Sequence, residues 1–64
     1  MTPEECEARA IEALSVDYTD EGIGTWLYLA KNKLLDDEVP IRLIWRGEGE
    51  RVLQIIGAIQ AGGL

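Results

Sequence analysis

Two carboxylate clusters, Glu4-Glu5 and Asp36-Asp37-Glu38, are the side chains here suited to acid–base work or capture of a hard cation. Neither has the spacing. Adjacent helix residues point in different directions, so Glu4 and Glu5 cannot converge on one point. Asp36-Asp37-Glu38 lacks the ligand spacing and the glycine of a calcium loop. Both read as turn and surface carboxylates, and no metal site is expected. Cys6 is the single thiol. Among its sequence neighbours only Arg9 could lower its pKa, so Cys6 reads as a small buried hydrophobe. The chain has no His, which closes nucleophilic mechanisms that use a His base. Gly22-Ile23-Gly24 and Gly47-Glu48-Gly49 lack the further Gly and Lys of phosphate loops and read as helix punctuation. The expectation is a protein that is not an enzyme, with no catalytic residue and no cofactor.

Residues suited to binding stand out more. Trp26 and Trp45 both lie at helical spacing with other apolar residues. Trp26 is expected in the core. Trp45 fits the core and a partner-binding surface equally, because tryptophan is enriched in binding hot spots. Arg42 and Arg46 flank Trp45, so this stretch can present a mixed aromatic and basic patch.

These residues must be positioned by a chain of 64 residues, one domain at most. Apolar residues make up 47%, too many for a disordered chain. The net charge is −6 and it is unevenly spread. Residues 1–21 hold seven acids against Arg9, whereas residues 22–64 hold five acids and five bases. All of the excess therefore sits in the N-terminal third, either as a solvated face or as a surface that steers toward a basic partner. With acids outnumbering bases two to one, no direct nucleic-acid binding is expected. No run approaches the ~20 apolar residues of a membrane span, so no membrane association is expected. The start, MTPEECEARA, is acidic where a signal peptide is basic. One cysteine cannot form a disulfide framework. A cytoplasmic location with reduced Cys6 follows as the expectation. Cores below roughly 70 residues rarely supply more than ~3–5 kcal/mol, so a homo-oligomer or a bound partner is expected on stability grounds.

The predicted elements are all α: a small bundle of four helices, the third short, in a single domain covering 1–64. Thr2-Pro3-Glu4-Glu5 is a capping box with proline at the first helical position. It opens a helix from Pro3 to about Ser15, with Cys6, Ala10, Ala13 and Leu14 on one stripe and Ile11 on its flank. Ile23, Trp26, Leu27 and Ala30 predict a second helix over about Glu21–Lys31, stopped at Asn32. Leu34 and Leu35 are expected to pin the loop that follows. Pro40 starts the short third helix, with Ile41, Ile44 and Trp45 on one side. Val52, Ile55, Ile56 and Ile59 carry the fourth, which begins near Glu48–Glu50 and ends at Ala61-Gly62-Gly63-Leu64. No segment alternates as a half-buried strand would.

Residues 26–62 show an ordered set of features: Trp26-Leu27, Asn32, Leu34, Val39-Pro40-Ile41, Glu50-Arg51-Val52, Ile59 and Gly62. In order and spacing this resembles the toxin-binding C-terminal domain of Xre/MbcA/ParS-type antitoxins. Two features depart from that pattern. The family's glycine pair is replaced by Asp36-Asp37. Only about 20 residues precede the match, too few for the family's helix-turn-helix domain, so the expectation is a chain lacking it: 1–21 an acidic helix and connection, 22–64 the antitoxin-like region. The resemblance implies a protein-binding module whose partner is a RES-type, NAD-consuming toxin, inhibited by occlusion of its active site. Carried onto this chain, the implied contact residues are Arg51, Gln60, Gly62, Gly63 and Leu64, with Trp45 and Arg46 beside them. The alternative is a small helical dimer or adaptor, encoded by a phage or mobile element, that binds a host regulatory protein.

Overall fold

The computed structural model describes residues 1–62, and among these the chain is all-helical with no strand. Helix α1 spans Pro3–Leu14. Its capping box is formed: Glu5 N–H donates to Thr2 Oγ1 at 3.2 Å, and Thr2 N–H donates to Glu5 Oε1 at 3.1 Å. Helix α2 begins at Asp20 and runs regularly to Gly24, capped by Thr19, whose Oγ1 accepts from Gly22 N–H at 3.1 Å. It continues as a π turn, Thr25–Leu29, and stops where Ala30 turns extended. The expected end at Lys31 is therefore two residues too late. The wider π turn uses up an additional residue and closes on an Ala30 N–H to Thr25 carbonyl bond of 2.8 Å.

Asn32 does not close α2. Its side chain instead looks forward and caps a 3₁₀ turn, Lys33–Leu35, accepting from Leu34 N–H at 2.9 Å. Glu38 N–H then reaches the Leu35 carbonyl at 3.1 Å across two left-handed residues, Asp36 (φ 58°) and Asp37 (φ 61°). Positive φ at both central positions makes this a type I′-like turn, and it brings Asn32 and Glu38 into an isolated antiparallel bridge. Leu35 is fully buried here, whereas Leu34 is exposed, so one leucine rather than two pins the segment.

Helix α3 starts at Pro40 after an extended Val39, as the pre-proline restriction requires, and spans Pro40–Leu43. Its ladder runs on as a π turn, Ile44–Glu48, broken inside by Gly47 at φ 92°. Helix α4 follows directly over Gly49–Gln60. The all-α class is as expected, but the count of four helices is not met cleanly: α1 and α4 are regular twelve-residue helices, whereas α2 and α3 are short segments carried on by π turns.

The core lies between α1 and α4 and is closed by α2, α3 and the 3₁₀ turn. It comprises Cys6, Ala10, Leu14, Ile23, Leu27, Leu35, Leu43, Ile44, Val52 and Ile56. Each apolar stripe read from spacing contributes to it, though not in full. Ala30 is exposed, Ile11 is at the surface, and Trp26, Ala13 and Ile55 are only half-buried against the core. In α3 the buried side is Leu43 and Ile44, and Trp45 is turned out with 53% of its surface exposed. Of the expected side Ile41, Ile44 and Trp45, Ile44 is buried and Ile41 packs against the core, but Leu43 and Pro40 fill the interior in place of Trp45. No helix among the described residues is long and apolar enough to cross a membrane.

Candidate functional site

The third helix and the start of the fourth carry the densest polar chemistry. Arg46, in the middle of the π turn after α3, grips Glu38 through both terminal nitrogens, Nη1 to Oε1 at 3.0 Å and Nη2 to Oε2 at 2.5 Å. Its Nε donates to Glu48 Oε2 at 2.5 Å. The other oxygen of Glu48 accepts from Arg51 Nη1 at 3.1 Å, and Arg51 Nη2 reaches Asp36 Oδ2 at 2.9 Å. Asp36, Arg51, Glu48, Arg46 and Glu38 therefore form one continuous ionic ladder. It ties the 35–38 turn to the α3–α4 corner, so Arg46 and Arg51 are brought together by a glutamate between them.

The ladder sets the local electrostatics. The Arg46 guanidinium holds the Glu38 carboxyl below its ordinary range, and Arg46 with Arg51 does the same for Glu48. In return, the carboxylates raise both arginines further into the charged form. Three acids and two arginines leave the ladder one charge negative. A carboxylate on a partner would compete with Glu38 and Glu48 at Arg46 and with Asp36 and Glu48 at Arg51. Beside the ladder, exposed Trp45 offers the chain's largest apolar anchor at the surface.

The remaining expected contact residues lie elsewhere. Gln60, at the far end of α4, donates from Nε2 to the Ala13 carbonyl and fastens α4 to α1. Nine helical steps separate it from Arg51, about 14 Å at the α-helical rise. Gly62 ends α4 with φ 74°, its N–H bonded to the Ile59 carbonyl at 3.1 Å. Gly63 and Leu64 lie outside the described residues. The five expected residues that are described thus form two groups: Trp45, Arg46 and Arg51 at the α3–α4 corner, and Gln60 with Gly62 at the distal end of α4.

Sequence reasoning overlooked Asp36, Glu38 and Glu48 as partners of the arginines. The Glu48–Arg51 pair had a sequence signal, its i,i+3 spacing. The pairs from Arg46 to Glu38 and from Arg51 to Asp36 cross a turn, and no local period marks them.

A cleft of about 440 Å³ opens between the starts of α1 and α4, lined by Thr2, Cys6, Gly47, Gly49 and Arg51 among others. Cys6 is buried there, and burial pushes its thiol above the ordinary thiol value, away from the reactive thiolate. Glu5 is committed to its cap, with its carboxyl held low by the Thr2 hydrogen bonds. Glu7 accepts the Tyr28 hydroxyl, which raises the phenol pKa. No group of three potential metal ligands gathers among the described residues. What the corner offers is a surface: an exposed tryptophan, a set of neutralised arginines and an adjoining cleft. No family model, no curated protein and no solved structure matches this chain.

Proposed function

We propose that this chain is a non-catalytic protein-binding module. Its partner is a RES-type, NAD-consuming toxin, which it neutralises by covering the active-site entrance, as the resemblance to Xre/MbcA/ParS-type antitoxins implies. One observation carries the reading. Where the family pattern has a glycine pair, the backbone at Asp36 and Asp37 is left-handed at both residues, a conformation glycine takes without strain. A family glycine at that turn and aspartates forced into the same conformation here are consistent with one shared backbone. Gly62, at another glycine of the pattern, also has positive φ.

The binding residues in this reading are Trp45 with Arg46 and Arg51 at the corner, and Gln60, Gly62, Gly63 and Leu64 as a second contact group. Trp45 is the anchor and the ladder fixes the corner that presents it. Cytoplasmic location and association as a homodimer belong to the same proposal. The test is NAD consumption by a purified RES-type toxin with increasing amounts of this protein. Stoichiometric inhibition is expected, weakened at least ~10-fold by Trp45→Ala, the size of a typical hot-spot loss. Full toxin activity at saturating protein would overturn the proposal.

A second reading has its own observation. Glu4, Glu5, Glu12, Asp17, Asp20 and Glu21 are exposed and Glu7 is half-buried, so most of the acidic charge of the first 21 residues faces solvent. This favours an adaptor that docks a basic surface of a host regulator. Reversal of Glu4, Glu5 and Glu12 to Lys would abolish such binding and leave toxin inhibition intact.

A further inference from the structure

An open groove of about 470 Å³ runs along α2 and the π turn that continues it, and shares no lining residue with the α3–α4 corner. Tyr18 and Trp26 line it, with Gly22 between them and Glu21, Thr25 and Ala30 along its length. The lining thus comes from the cap and first turn of α2, from the π turn that continues it, and from Ala30 where the helix stops. The Tyr18 ring lies against Gly22, its Cδ2 3.6 Å from where a Gly22 Cβ would be, an ordinary van der Waals distance. Both aromatic residues are half-buried, packed on the core on one side and accessible on the other.

The groove's chemistry selects the occupant. Two accessible aromatic side chains and a carboxylate attract a cation, and no Lys or Arg lines the groove. Exposed Asp17 and Asp20 adjoin it in sequence, within the region that carries the full charge of −6. A planar guanidinium can stack on an aromatic face and still donate hydrogen bonds to a carboxylate, which an ammonium does less well. The groove is open rather than enclosed, which suits a side chain arriving on an extended backbone.

We propose that this groove docks an arginine side chain from a basic peptide segment of a partner protein. Tyr18 and Trp26 stack on the guanidinium, and Glu21 takes its hydrogen bonds. The probe is a blocked Gly/Ser peptide carrying two arginines, titrated into the full chain and followed by backbone amide and Trp26 indole NMR shifts. Saturable shifts at Gly22, Thr25 and the Trp26 indole are expected at low salt. The same peptide with citrulline for arginine should give none. Glu21→Gln should weaken binding about fivefold, and Thr25→Lys, which sets a cation at an exposed position beside the groove, should abolish it. Thr25→Lys keeps the core, so retention of its helical circular dichroism makes the loss interpretable. Shifts that do not saturate, that map to Glu4, Glu5 and Glu12, or that survive in Thr25→Lys would overturn the proposal. Saturation by tetramethylammonium but not by the peptide would assign the groove to small organic cations and overturn it too.

Discussion

Cys6 and Gly49 meet so closely that a methyl group on Gly49 would overlap the Cys6 sulfur and stand 3.3 Å from its Cβ. This contact is where α1 and α4 come together, and both residues are buried. Glycine at the first position of α4 is thus a packing requirement. Gly49→Ala should destabilise the fold by about 1–3 kcal/mol, the usual penalty for overfilling a packed core. At this size each kcal/mol shifts Tm by roughly 4–8 °C. Thermal and urea melts would measure it. The double variant Cys6→Ala/Gly49→Ala should lose less than the sum of the two single losses, because the smaller side chain makes room for the new methyl. Strict additivity would disprove the contact.

The strained turn makes a prediction of opposite sign. Asp37 holds φ 61° and has no ion-pair partner among the described residues. Asp37→Gly should therefore stabilise by about 1 kcal/mol, since relief of left-handed strain exceeds the entropy glycine restores to the unfolded chain. Asp36→Gly should gain less, because the same change removes the bond to Arg51. Equal or greater stabilisation at Asp36 would mean that the ladder's outermost link contributes nothing.

Ionic coupling at the α3–α4 corner should appear in the acid limb of stability. The Glu38 and Glu48 carboxyls are held below the ordinary 4.5 by their arginines. A folded-state pKa below the unfolded one means that the contribution is complete above the unfolded value. It is lost as pH falls through the lower folded value. Urea midpoints should then be flat from neutrality down to about pH 5 for this pair and decline below pH 4.5. In Arg46→Gln/Arg51→Gln the decline should be shallower, and added salt should narrow the gap between the two proteins. Parallel acid limbs would remove the ladder from the account.

Leu43 and Trp45 lie two residues apart and should separate stability from binding. Leu43 is fully buried, so Leu43→Ala should cost about 2–5 kcal/mol. Trp45 is 53% exposed, so Trp45→Ala should cost under about 1 kcal/mol. Only the Trp45 change should weaken toxin inhibition in a folded protein. A large stability loss at Trp45 would show that it is core.

Much of this protein was legible from local signals. The capping box at Thr2, the proline starts at Pro3 and Pro40, the stripes through Cys6, Ala10 and Leu14 and through Val52 and Ile56, and the all-α class depend on interactions within a few residues. Such interactions leave a period or a spacing in the chain. The features that resisted reading are those set between segments. The π turn that ends α2 early, the left-handed aspartate pair, the outward face of Trp45 and the Gly49–Cys6 contact each depend on how one element meets another. The same holds for the ladder, whose partners lie up to 15 residues apart. Packing density and charge pairing across separate segments have no sequence period, so they emerge only once the helices are in place.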